Sequence, residues 1–144
     1  MTDKLILLTM VLLLCAVLGL VACGSAGSEP ALEGTTWRLE SHGESENLKA
    51  VLADTKITIE FNSDESKIAG TDGCNRYFGG YETSNGELTI KPPLGSTMMA
   101  CPGPVMDQEQ EYLELLTAAE TFQIRNGKLT ISCSGDKMLV FVWQ

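Results

Sequence analysis

Lys56 to Phe61 alternates polar and apolar side chains, placing Ile57, Ile59 and Phe61 on one face. Such alternation marks a strand with one buried side, because successive side chains point to opposite faces. Asn62 to Ser66 is a turn cluster, and Lys67 to Gly70 begins the return strand. Upstream, Trp37-Arg38-Leu39-Glu40 alternates as a first strand. His42 to Asp54 is polar with Leu48, Val51 and Leu52 embedded, and reads as a loop with a helical turn. Asn85-Gly86 is a two-residue hairpin signal, since both residues tolerate the positive φ of a type I′ turn. That loop sets Thr83 opposite Leu88 and Tyr81 opposite Ile90, so Tyr81, Leu88 and Ile90 share a face. Asn126-Gly127 repeats the device, with Ile124 opposite Leu129 and Phe122 opposite Ile131. A turn around Gly135-Asp136 is expected to set Cys133 opposite Met138, Ile131 opposite Val140 and Leu129 opposite Val142. Leu139, Phe141 and Trp143 would then lie on the other face, covered by a helix or barrel wall, or exposed at a partner surface.

The pattern turns helical once. Tyr112, Leu115, Leu116 and Ala119 follow at i, i+3, i+4 and i+7, with Leu113 widening the stripe. Asp107 and Gln110 have capping-box spacing, and Glu109, Glu111 and Glu114 fall on the outer face. Pro102, Gly103 and Pro104 are expected to prevent an earlier start. Together these elements predict an α+β domain: about eight mostly antiparallel strands in a coiled or partly closed sheet, packed with one α-helix.

A signal-peptide helix precedes that domain. Leu5 to Val21 is an almost uninterrupted apolar run behind a thin charged start. Leu20-Val21-Ala22-Cys23-Gly24 closes it in the manner of a bacterial lipobox, so cleavage before Cys23 would leave a lipidated N-terminal cysteine. The competing reading is a retained anchor helix, for which the run is just long enough. The organisation expected is a lipoprotein signal peptide over 1–22, a lipidated Cys23 and flexible tether over 23–33, and the domain over 34–144. Ser25 to Glu33 is small and polar and is expected to bury almost nothing. The protein is thereby placed in the cell envelope, lipid-anchored on the extracytoplasmic side of the membrane.

The net charge of −9 bears on partners. Nucleic acid is excluded, because phosphate contacts need clustered Lys and Arg. Attachment to the membrane falls to the lipid on Cys23, since no basic run exists to hold an anionic surface. Outside the cytosol disulfides persist. Cys15 leaves with the signal peptide, and Cys74, Cys101 and Cys133 remain. The favoured pair is Cys74 with Cys101, both in Gly- or Pro-rich, loop-like surroundings. Cys133 lies in phase with Leu129 and Ile131 and reads as a buried thiol.

Candidate chemistry centres on Gly70 to Tyr81, a Gly-rich corner running into an aromatic strand. Asp72, Asn75 and Arg76, read as facing outward, form with Tyr77 and Phe78 a candidate recognition patch. An Arg76–carboxylate pair that merely fixes the corner explains the same residues equally well. Gly-Cys-Asn-Arg-Tyr-Phe-Gly-Gly-Tyr (73–81) resembles the signature of the META domain family of HslJ-like lipoproteins. Trp37-Arg38-Leu39, the run from Thr97 to Cys101, Met106 to Glu109 and Leu139-Val140-Phe141 match in order. The resemblance implies a compact, mostly antiparallel fold, an envelope address and family associations with heat shock and novobiocin resistance. It implies no catalytic residues and no cofactor.

Other constellations are weaker. His42 is the one histidine and reads as a solvated loop side chain. Asn62 to Ser66 lacks the central Gly and distal Glu of a calcium loop. Met98, Met99, Cys101 and Met106 are soft donors, but Met is also ordinary core filler. The expectation is a non-catalytic binding or adaptor module in envelope maintenance or stress tolerance, meeting an envelope protein or a small apolar ligand. The alternative is a secreted or surface inhibitor or ligand-carrier domain.

Overall fold

The computed structural model describes residues 29–144. The expected signal-peptide helix, Cys23 and the first part of the tether lie outside them. The elements in order are β1 (Thr36–Glu44), β2 (Asn47–Ala50), β3 (Ile57–Asn62), β4 (Lys67–Asp72), β5 (Arg76–Ser84), β6 (Glu87–Ser96), α1 (Gly103–Thr117), β7 (Ala119–Arg125), β8 (Lys128–Cys133) and β9 (Lys137–Trp143). They form one antiparallel sheet in the order β2-β1-β3-β4-β5-β6-β7-β8-β9. Pairing of β9 back onto β1, from Trp37↔Trp143 to Glu44↔Lys137, closes all but β2 into a barrel. The partly closed sheet expected from the sequence is therefore a closed one. Closure suits a small domain because it leaves only the short β2 as a free sheet edge.

The barrel has a thin seam. β6 and β7 pair through Glu87↔Thr121, beside the bond from Phe122 N to Gly86 O (2.8 Å). The helix joining these strands buries Tyr112, Leu115 and Leu116 and packs against β4, β6 and β9. The interior is filled by side chains. Trp37, Ile57, Ile59, Phe61, Ile68 and Phe141 are each 0 % exposed.

The Asn85-Gly86 and Asn126-Gly127 hairpins have the registers that turn chemistry predicts, with Tyr81↔Ile90 and Phe122↔Ile131. The β8–β9 hairpin does not. Its loop is Ser134-Gly135-Asp136, so Cys133 opposes Lys137, Ile131 opposes Leu139 and Leu129 opposes Phe141. A one-residue slip exchanges the two faces of a strand. Leu139 and Phe141 are therefore inside, while Met138, Val140 and Val142 are half-buried outside. Gly135 (φ 73°) and Asp136 (φ 56°) both take left-handed conformations, which lets the shorter loop close.

Two other expectations are corrected. The loop expected over 42–54 is instead the end of β1 plus β2, an edge hairpin with Glu44↔Asn47 and Ser41↔Ala50. β2 is mostly solvated, so it shows no alternation, and it is held by backbone pairing to β1 and by Lys49 donating to Glu111 on α1 (2.9 Å). The helix starts at Gly103, not at Asp107, and no side chain caps it. Pro104 sits in the first turn, where its missing N–H has no intrahelical partner to lose.

Antiparallel order sorts the connections to two ends. The β3–β4, β5–β6 and β7–β8 turns lie at one end with Thr36 and Trp143. The β1–β2 turn, the β4–β5 corner, the β6–α1 segment and the β8–β9 loop lie at the other. A strap crosses the first end. Leu32 is buried there, its carbonyl accepting from Trp37 Nε1 (3.1 Å). Glu33 bridges Phe61 and accepts from Tyr81 Oη (2.8 Å). Glu29 accepts from the backbone amides of Asn126 (2.7 Å) and Gly127 (3.2 Å). The last residues of the expected tether thus belong to the packed domain.

Candidate functional site

The β4–β5 corner turns on Gly73, whose φ of 102° is open to glycine alone at little cost. Asp72 and Asn75 flank it and point inward, 0 % and 3 % exposed, against the outward reading. Asp72 Oδ1 accepts from the amides of Cys74 (3.1 Å) and Asn75 (2.5 Å), which closes the turn locally. Asn75 reaches across to the β6–α1 segment. Its Oδ1 accepts from Met99 N (2.7 Å) and Thr97 Oγ1 (2.8 Å). Its Nδ2 donates to Met99 O (3.4 Å) and to Glu109 on α1 (3.1 Å). Every hydrogen-bonding position of this amide is used, so one buried side chain ties corner, segment and helix together.

Cys74 and Cys101 fasten the same two segments covalently, with Cα atoms 6.0 Å apart. The closed loop spans 27 residues, worth roughly 3.5 kcal/mol in the chain-entropy account. Asn75 positions the segment that the disulfide holds.

The candidate patch is divided by the barrel wall. Tyr77 is 1 % exposed and donates to Thr58 O (2.9 Å), while its hydroxyl meets that of Tyr112 at 2.6 Å. Burial, then Tyr112 and Asp72, push the Tyr77 phenol well above its usual range, so it stays neutral. Arg76 and Phe78 point outward. Among the described residues Arg76 makes no ion pair, so the corner is fixed by Asp72 and Asn75 and not by an Arg–carboxylate pair. The signal for this inward turn was present in the sequence: Asp and Asn around Gly at Asx-turn spacing.

What remains outside is apolar. Phe78 is 61 % exposed, Met98 98 %, Met99 57 % and Met106 38 %. The tip of the Phe78 ring lies over Gly95, where a Cβ would stand 2.4 Å from it. Leu94 lies over Gly79 in the same way, at 2.3 Å. These two glycines let large side chains lie along the barrel wall. Leu94 then faces Met106 and Leu113 across an open groove of about 500 Å³ between β6 and α1, with Glu109, Gln110 and Glu114 on its rim.

Side chains suited to nucleophilic or acid–base work are placed differently. Cys74 and Cys101 are bonded. Cys133 is buried, and desolvation with Glu120 nearby pushes its thiol up to about 11. His42, expected in solvent, is 3 % exposed on β1. Burial holds its pKa below the usual value against the pull of Glu111, whose Oε1 lies 3.8 Å from Nδ1. Among the described residues no cluster of His, Cys, Asp or Glu is arranged to hold a metal ion.

Fold and site define a small antiparallel barrel, filled inside, with one helix across the seam and a disulfide-fastened corner. The family model of the META domain matches residues 30–144, and the chain belongs to that family. A protein from Burkholderia xenovorans, known from an NMR structure, is similar at 26 % identity with a TM-score of 0.67, over 85 % of this chain and 96 % of that one. A second NMR structure is similar at 28 % identity and a TM-score of 0.58, over 75 % and 87 %. A DUF4847 family protein from Bacteroides vulgatus shares the fold at 14 % identity and a TM-score of 0.58, over 77 % and 93 %. A comparison with curated proteins found no match.

Proposed function

We propose that this META domain is a non-catalytic binding module of the cell envelope, held to the membrane by lipid on Cys23 and acting through a protein partner. The observation that carries the reading is the contrast between inside and outside. The barrel is filled, whereas Phe78, Met98 and Met99 are exposed and Met106 lines an open groove. Flexible, polarisable methionines suit a surface that adapts to a partner side chain. The disulfide and Asn75 hold the methionine segment in place, which lowers the ordering cost of binding. The lipobox at Leu20 to Cys23 supports the envelope address, and the family's association with stress tolerance fits a partner among envelope proteins.

A photoreactive residue at position 98, carried by the intact lipoprotein in its own envelope, tests the reading. A discrete adduct is expected, lost on Phe78→Asp at unchanged protein level. Labelling that is diffuse, or indifferent to Phe78→Asp, counts against the partner surface. Cys23→Ser is expected to release the protein or stall its processing. Normal cleavage with full membrane retention would refute lipid anchoring.

A further inference from the structure

The tether meets the barrel at the end where the Asn126-Gly127 turn lies. Glu29 clamps the Asn126-Gly127 turn through both backbone amides. Trp143 lies against that turn, its ring 3.3 Å from where a Cβ on Gly127 would stand, yet it is 60 % exposed. The bond from Trp143 N to Gly127 O (3.4 Å) fixes the strand end there. Arg38 and Lys128 flank Val142 on the neighbouring strands, and Arg125 opposes Lys128. All three cations are exposed. The nearby carboxylates include Glu29, occupied by the turn amides, Glu40, bonded to Lys128 at 2.6 Å, and Glu60, opposite Thr36 on the strand beside Arg38. Among the described residues Arg38 and Arg125 make no ion pair, so two cations stand without a carboxylate partner beside the exposed indole. The acidic Asp64-Glu65 turn shares this barrel end but lies across it, since β3–β4 and β7–β8 fall on opposite sides of the strand order.

The tether limits where this end can be. Cys23 precedes Glu29 by six residues, and a segment of that length reaches about 20 Å at most. A lipid on Cys23 therefore keeps the Trp143 end within about 20 Å of the bilayer surface, close enough to reach the headgroup layer. Trp is favoured at that depth because its ring is apolar and its N–H is polar.

We propose that Trp143, with Arg38, Arg125 and Lys128, forms a second contact with the phospholipid bilayer, seating the barrel end-on. Phe78, Met98 and Met99 then face away from the membrane, at the opposite end. This inference rests on lipid anchoring at Cys23. It goes further in assigning a membrane-facing surface to the folded domain.

The test uses the lipidated full-length protein on phosphatidylcholine vesicles containing phosphatidylglycerol, with and without brominated acyl chains. Trp37 is 0 % exposed and serves as the internal constant of the two tryptophans. The Trp143 emission, obtained by subtracting the spectrum of Trp143→Phe, is expected to shift to the blue on vesicle binding. It should lose about half its intensity to the brominated lipid and become several-fold less accessible to aqueous iodide. Protein that floats with the vesicles while Trp143 keeps its free-solution spectrum and iodide quenching overturns the end-on contact and leaves the anchor intact. Protein that fails to float overturns the anchor, and the contact with it.

Discussion

Asn75 does at the corner what a strand pairing would otherwise do, because its amide accepts and donates like a peptide group toward Met99. Asn75→Ala removes all of these bonds and leaves Met99 N without its acceptor. It is expected to cost about 2–3 kcal/mol, read as a lower urea midpoint at unchanged slope. Glu109 carries a different lesson. Burial first, and then the carboxylate of Asp72, raise its pKa, while its bond from Asn75 opposes the rise. Asp72 Oδ2 is buried without a partner. A carboxyl whose folded pKa is raised contributes most below its unfolded value, and that contribution is lost as pH rises through the folded value. Glu109→Gln keeps an acceptor for Asn75 and gives Asp72 an amide donor. The variant should be more stable than the parent by about 1 kcal/mol near neutral pH, and the gain should vanish near pH 4, about the carboxylate range. Thermal unfolding across that range checks it. An equal gain at both pH values would show that Asp72 and Glu109 are not coupled.

At the scale of elements, the β6–α1 segment is the part with least regular structure and most fastening. Cys74→Ser with Cys101→Ser is expected to lower stability by roughly 3 kcal/mol. Proteolytic nicking should follow between Ser96 and Pro102, because only hydrogen bonds, from Asn75 and between Arg76 and Thr97, then hold the segment. Gly95→Ala tests how the outer wall is built. A methyl at that position meets the Phe78 ring at 2.4 Å, so Phe78 must swing off the wall. The expected result is a modest loss of stability, about 1–2 kcal/mol, with a larger proportional loss of partner crosslinking. The elements themselves differed in legibility. The Asn-Gly hairpins were readable to the residue because a two-residue loop fixes register. The Ser134-Gly135-Asp136 loop was not, because Gly-Asp fits loops of more than one length and each length exposes a different face. β2 was invisible because an exposed edge strand needs no buried face.

For the whole molecule, the strap over the tether end is the test of closure. Leu32 belongs to the core cluster, although its local sequence reads as a linker. Leu32→Ala should cost about 2–3 kcal/mol and increase amide exchange at Phe61 and Tyr81, the strap's contacts, before exchange at the corner. Exchange that rises evenly over the barrel would place Leu32 in the global core instead. Because the strap and Trp143 share one end and the methionine surface lies at the other, the proposed attachment and the proposed recognition would use opposite ends of the barrel.

The sequence by itself determined the strand alternation, the turn-defined registers at Asn85-Gly86 and Asn126-Gly127, the stripe of α1 from Tyr112 to Leu116 (Ala119, read as its last member, opens β7), the Cys74–Cys101 choice and the family. These rest on local chemistry: which residues accept positive φ, which face a period buries, which cysteines lie in loops. Only the tertiary structure decided that the sheet closes, that Leu139 and Phe141 point inward, that His42, Asp72 and Asn75 are buried, and that Phe78, Met98 and Trp143 are exposed. Closure brings β9 onto β1 across nearly the full length of the chain, and burial follows from which surfaces meet. No local window holds that information, because the same alternating strand is satisfied with either face inside until its distant partner arrives.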